Sequence, residues 1–213
     1  MTDVRSTSGA DDGADRRFVH PDGRCETSWV GPRTRVWAFA HLLEGAVVGA
    51  DCNIGDHVFV EGGVLIGDRV TVKNQAVIWD GVTIEDDAFI GPAVVFTNDR
   101  TPRAHVHKER SEFVPTVVRR GATIGANATI VCGVEIGRHS FVAAGAVVTH
   151  DVPDHAVVRG NPARRAGWVC ICGTMLGVDL ACPCGRAYEL DGERLLERAT
   201  AAALGGIPGG GRR

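Results

Sequence analysis

Residues 95–118 read VFTNDRTPRAHVHKERSEFVPTVV, and the stretch gathers side chains able to do polar chemistry. Asn98 and Asp99 stand at its start, and Arg103, His105, His107, Lys108 and Arg110 follow. Trp79 and Asp80 precede Thr97 and Asn98 by eighteen positions. An amide orients a partner group without competing for a charge. A guanidinium fork takes phosphate or carboxylate through two parallel hydrogen bonds. A histidine can take a proton near neutral pH. A second constellation lies in VCICGTMLGVDLACPCGRAY, where Cys170 and Cys172 form one close pair and Cys182 and Cys184 another. Both pairs are C-x-C followed by Gly, tighter than the usual C-x-x-C knuckle. Four thiolates on two adjacent turns suit a tetrahedral structural zinc, with no position open for catalysis.

What could hold such residues in place is a repeat. Val36, Leu42, Val48, Ile54, Val60, Ile66, Val72, Ile78, Ile84, Ile90 and Phe96 are spaced by six without a slip. Four positions after each comes a small or β-branched residue, such as Ala40, Ala46, Cys52, Val58 and Val64. Neither a helix of period 3.6 nor a strand of period 2 gives this pattern alone. A short strand followed by a tight corner does, and three such units close a triangular coil of eighteen residues. Each coil then buries its core only by stacking on the next. A β-sandwich would not hold phase over so many turns. The period fails at Thr97 and returns by Ile124, so residues 97–117 are expected to leave the coil as an external loop rooted over Trp79 and Asp80. Ordering a long insertion costs entropy, and in repeat folds such insertions mark the functional face.

The totals are those of an ordinary globular chain: 213 residues, 44% hydrophobic, 23 basic and 26 acidic side chains, formal charge −3. That balance offers no electrostatic case for nucleic acid or an anionic membrane. No apolar run approaches the ~18 residues of a membrane span. Residues 1–19, rich in Asp, Ser and Gly, read as a disordered leader and not as a secretory signal. Seven cysteines without an export signal point to a reducing cytoplasm. Cys52 takes an inward corner position, where a small residue packs.

The stretches VKNQAVIWDGVTIEDDAFIGPAVVFTNDRTPR (72–103), GATIGANATIVCGVEIG (121–137) and GAVVTHDVPDHAVVRGNPARRAGWVC (145–170) resemble left-handed β-helix acyltransferases. They are similar in particular to bacterial N-acetyltransferases that act on the 3-amino group of nucleotide-linked sugars, with either UDP-2-acetamido-3-amino-2,3-dideoxy-glucuronate or dTDP-3-amino-3,6-dideoxyhexoses as acceptor. Trp79 stands where that group commonly has Tyr. The resemblance implies an all-β fold: a left-handed parallel β-helix of hexapeptide repeats over 20–166 with the external loop at 97–117; the spacing of the four cysteines adds a zinc-ribbon-like hairpin over 167–191. A short helix and flexible tail are expected over 192–213. The resemblance also implies acetyl-CoA as co-substrate and a homotrimer with sites between subunits. Carried over, Asn98, Asp99, Asp80 and Asn74 would surround the amine and thioester, while Trp79, Thr97, Arg103 and His107 would contact the sugar nucleotide. Ala126, Ala144 and Gly145 would line the pantetheine arm, and Arg159, Asn161 and Arg164 would approach the CoA phosphates.

In that group no dedicated base is evident, and the departing CoA sulfur is the proposed proton acceptor. Two other readings stay open: O-acetyl transfer on the same fold with His105 or His107 as base, and a β-helix scaffold that catalyses nothing. A carbonic anhydrase would need three histidines converging on one zinc, and no third histidine sits in matching phase.

Overall fold

The computed structural model describes residues 16–198. Most six-residue units make a strand of two residues, as in Arg35–Val36, His41–Leu42 and Val47–Val48, and then turn; Val82–Ile84 and Thr116–Val118 have three. The second strand residue points inward. Val36, Leu42 and Ile54 are 0% exposed, and Ala40, Ala46 and Cys52 fill the corners at 1% or less. Two inward positions per unit leave the intervening residues to the outer surface and the bend, which is why the period is six.

Strands of successive coils pair in parallel, like side chain on like. Val36 lies against Ile54 and Ile54 against Val72. Leu42 lies against Val60 and Val60 against Ile78, and Val48 against Ile66 and Ile66 against Ile84. Three sheets result, of nine, seven and five strands. We call these faces I, II and III: face I runs from Phe18–Val19 to Arg164–Trp168, face II from Arg24–Cys25 to Val147–Val148, and face III from Val47–Val48 to Glu135–Ile136. One apolar column fills the prism. Burying each Val, Leu or Ile contributes roughly 1.5–3 kcal/mol, and only the neighbouring coils supply that burial.

The interruption leaves the register intact. Val95 still pairs with Thr129 on face II, and Ile84 with Val118 on face III, so the loop exits and re-enters at the II/III edge. Within it, Arg110–Glu112 forms a short 3-10 turn.

Two expectations need correction at the ends. The segment read as leader through residue 19 already contains a strand, because Phe18–Val19 pairs with Arg35–Val36 and Val19 packs on the core. The expected helix over 192–204 is not formed in its described part. Arg194–Glu197 is a strand, antiparallel to Tyr188–Asp191. Leu195 is buried with Tyr188, and Gly192 takes φ +59 at the first of two turn positions, as a tight hairpin requires. Pairing and burial outweigh helix propensity there; residues 199–213 lie outside the described part.

At the far end Ala156–Arg159 folds back onto Arg164–Trp168 in antiparallel fashion, closing the sheet edge. Among the described residues no helix is long and apolar enough to cross a membrane.

Candidate active site

The corners of the prism differ in turn type. On the II/III edge, Gly45, Gly63, Gly81 and Gly133 have φ of +84, +89, +87 and +83. This is the third position of a type II turn, which glycine occupies without steric cost. The other edges place Arg33, Phe39, Asp51 and Gln75 at φ +58 to +66, the left-handed helical region that L-residues tolerate. The loop thus leaves from the edge that carries no side chain at the bend.

Its root is pinned on both sides. Thr97 Oγ1 accepts the Cys132 N–H at 3.0 Å, and the Asn98 carbonyl accepts the Val114 N–H at 2.9 Å, which joins the outgoing and returning limbs. The Asp80 N–H donates to Glu61 Oε2 at 2.8 Å. The Asp80 carboxylate is held by the Arg110 fork, with Nη2 to Oδ1 at 2.7 Å and Nε on the other oxygen. Asp99 is paired with the Lys108 ammonium and accepts the Thr101 N–H at 2.8 Å. The Lys108 contact, helped by that N–H, holds the Asp99 carboxyl below the usual carboxylate range. Both carboxylates are therefore charge-balanced by the loop itself. The half-buried Asn98 amide, in contrast, has no hydrogen-bond partner among the described residues. Trp79, one coil below Thr97, sits beside Phe59 with ring centroids 5.3 Å apart.

Farther out, Asp99, Arg103, His107, Lys108 and Phe113 line a cleft of about 400 Å³. The exposed Arg103 donates from Nη1 to the Pro102 carbonyl at 2.9 Å, and His105 is also exposed.

The structure groups the expected residues by edge. Asp80, Trp79, Thr97, Asn98 and Asp99 share the II/III edge. Asn74 does not join them, because the strand Val77–Ile78 separates it from Asp80 across face II. It belongs to the I/II edge, in a column with Pro92, Ala126 and Ala144: Ala93 N–H donates to the Asn74 carbonyl, Asn127 N–H to Pro92, and Gly145 N–H to Ala126. Arg159, Asn161 and Arg164 are exposed on the turn that caps face II, where the Val147 N–H donates to the Gly160 carbonyl at 3.0 Å. The count of eighteen places Glu61 directly under Trp79, and its carboxylate joins the site through the Asp80 N–H.

The four cysteines converge. Sγ atoms of Cys170 and Cys184 are 3.6 Å apart and those of Cys172 and Cys182 3.5 Å, too far for disulfides. All four lie within 4.8 Å of one another. A tetrahedron of thiolates about zinc, with bonds of ~2.3 Å, has edges of roughly 3.8 Å, so the donor set fits. The two knuckles are alike: Gly173 and Gly185 N–H groups donate to the Cys170 and Cys182 carbonyls at 2.8 and 2.9 Å. Tyr188 OH donates to Cys170 Sγ at 3.1 Å.

Two family models match the chain: the bacterial transferase hexapeptide (six repeats) over residues 115–150, and the hexapeptide repeat of succinyl-transferase over residues 45–80. The chain is 51% identical over 175 residues to the dTDP-3-amino-3,6-dideoxy-alpha-D-galactopyranose 3-N-acetyltransferase of Aneurinibacillus thermoaerophilus, covering 81% of this chain and 90% of that protein. A shorter match, 52% identical over 50 residues, covers 24% of the chain and 21% of the 2,3,4,5-tetrahydropyridine-2,6-dicarboxylate N-acetyltransferase of Staphylococcus aureus strain JH9. Among solved structures, a hexapeptide-repeat acetyltransferase of Vibrio cholerae complexed with acetyl coenzyme A is 30% identical with a TM-score of 0.49, covering 58% of this chain and 70% of that one. With the repeat visible in every coil and a relative matched along nearly its whole length, the chain belongs to the hexapeptide-repeat acetyltransferases.

Proposed function

We propose that the chain transfers the acetyl group of acetyl-CoA to the 3-amino group of a UDP- or dTDP-linked amino sugar, in polysaccharide or glycoconjugate biosynthesis. The observation that carries this reading is the loop root, where an unengaged amide, Asn98, adjoins Asp99 and stands one coil above Asp80, both carboxylates being already neutralised, by Lys108 and Arg110. Such a site orients a neutral nucleophile and offers no ready base. An amine suits it, because the amine nitrogen attacks the thioester carbonyl unaided. The C–N bond forms, the C–S bond breaks, and one amine proton passes to the departing sulfur. A hydroxyl acceptor would need a base, and His105 and His107 both stand exposed on the outer loop. The name of the Aneurinibacillus relative supports the 3-amino acceptor. Family membership sets aside the non-catalytic scaffold.

The two groups of site residues support the homotrimer. Within one chain the proposed donor residues (Ala126, Ala144, Gly145) and Asn74 lie on the I/II edge, with Arg159, Asn161 and Arg164 on the turn above, and the acceptor residues on the II/III edge, a face-width away. A neighbouring copy would bring one edge of each together. Arg103 and His107 would then contact the sugar nucleotide from the loop. The reading places the enzyme in the cytoplasm, with neither nucleic acid nor membrane as partner. Cys170, Cys172, Cys182 and Cys184 would hold a structural zinc that locks the two knuckles and takes no part in transfer. Metal analysis of protein purified without chelator should find one zinc per chain.

The deciding assay offers acetyl-CoA with a panel of UDP- and dTDP-linked 3-amino sugars and their 3-hydroxy counterparts. Acetylated amine is the expected product. Acetylation confined to the hydroxyl sugars, and lost in His105→Ala or His107→Ala, would replace N- with O-acetyl transfer.

A further inference from the structure

The loop meets the coil through two guanidinium groups, and both lie where the corner residue has no side chain. A Cβ placed on Gly63 would collide with Arg110 Nη2 and Asp80 Oδ1, and one on Gly133 with Arg100 Nη2. The turn type already demands glycine at both sites. The consequence is a notch, and the loop fills it.

Arg110 does more there than fill space. Its side chain is 70% exposed, so burial does not hold it; the fork on Asp80, whose side chain is 13% exposed, does. A long side chain ordered at the surface loses rotamer entropy, and a planar bidentate pair is the contact best able to offset that loss. The same residue begins the 3-10 turn Arg110–Glu112, and the Phe113 N–H donates back to the Arg110 carbonyl at 3.2 Å. The next residue, Val114, holds the Asn98 carbonyl. A short covalent path therefore runs from the Asp80 pair to the backbone of Asn98.

We infer that Arg110, seated over Gly63, is a positioning residue for the acetyl transfer: it fixes the Asp80 carboxylate and, through the returning limb of the loop, the place of Asn98. The inference rests on the reading of the II/III edge as the acceptor site.

The test compares the full-length enzyme with Arg110→Ala, Arg110→Lys and Gly63→Ala by two readouts: amide hydrogen exchange and steady-state kinetics. In Arg110→Ala the Val114 N–H should exchange at least about tenfold faster while amides bonded between coils, such as Val95 N–H to the Ala128 carbonyl, are unchanged. Turnover should fall roughly 10- to 100-fold, with the KM for acetyl-CoA within about twofold of the parent. Arg110→Lys should lie between, and millimolar methylguanidinium should restore part of the turnover of Arg110→Ala, which a general loss of fold would not permit. Gly63→Ala, which keeps Arg110 and fills its seat, should reproduce the faster exchange. Parental exchange and turnover in Arg110→Ala overturn the inference. So does faster exchange with parental turnover, since the residue would then tether the loop without serving the reaction. A parent enzyme that acetylates no amine on the panel brings down the functional reading and the kinetic half of this one, and exchange alone then decides whether Arg110 seats the loop.

Discussion

Two edges of the same prism are built from the same six-residue unit and do opposite things. The III/I edge is closed by its own side chains. Arg33 pairs with Asp51 at 2.7 Å, Arg69 with Asp87 at 2.6 Å, and Arg120 joins Asp87 at 2.9 Å, forming a ladder of alternating charge up the corner. These residues tolerate the left-handed bend, with φ of +58, +58, +57 and +61 at Arg33, Asp51, Arg69 and Asp87. The II/III edge, with φ near the type II value, is lined by glycine and carries no side chain at the bend. A segment inserted from elsewhere can dock there. The φ values are +83 to +89 on one edge and +57 to +61 on the other, and the glycine that the larger value calls for leaves that corner free of a side chain, which separates a corner that stabilises from a corner that can be given a function.

If that division is right, changes at the II/III edge should cost catalysis and changes at the III/I edge should cost only stability. The largest effect is expected at Asn98. Asn98→Ala should lower kcat on the order of 10²-fold, about 2.7 kcal/mol of barrier, with an unchanged melting temperature because residue 98 is outside the apolar column. Steady-state rates and a thermal melt on one preparation check both halves, and parental kcat would break the comparison. Next comes Arg103→Ala, expected to raise the KM for the nucleotide sugar about tenfold while kcat changes less, since a phosphate contact is present in ground and transition states alike.

Asp87→Ala, on the closed edge, should leave kcat and both KM values alone and lower stability by no more than ~1 kcal/mol, as its ion pairs are partly exposed. Denaturant melts measure this, and a catalytic loss rivalling that of Asn98→Ala would erase the distinction between edges. The finest test is the Asp99 carboxyl. Lys108 depresses its folded-state pKa, so the stabilisation from that pair is complete above the ordinary value of ~3.9 and disappears as pH falls through the folded value. Carbon-detected titration should find Asp99 below the ordinary value, and Lys108→Met should move it up. An ordinary value in the parent protein would dissolve the pair.

Most of the coil was legible because its cause is local: large residues every sixth position and small ones four later can be buried together only in a stacked triangular coil. The same count set Trp79 and Asp80 under Thr97 and Asn98, since each coil advances eighteen residues and the parallel register carries that number upward. The cysteine cluster was legible from two like C-x-C-Gly turns. Less could be read where the partner is distant in sequence. Asp80 and Arg110 are 30 residues apart and Asp99 and Lys108 nine, and nothing in the spacing says that each carboxylate is already neutralised.

What the amino-acid order determined by itself is the fold of each coil, the point where the chain stops building core, and the thiols that gather at the end. Periodic burial needs no information beyond the period. Tertiary structure alone decided where the residues outside the repeat are seated. It took Arg194–Glu197 from helix into a hairpin because Leu195 found a buried partner in Tyr188, and it seated Arg110 in the notch of Gly63. Those outcomes depend on contacts between segments whose separation no repeat encodes, so they come into being only when the coils have stacked.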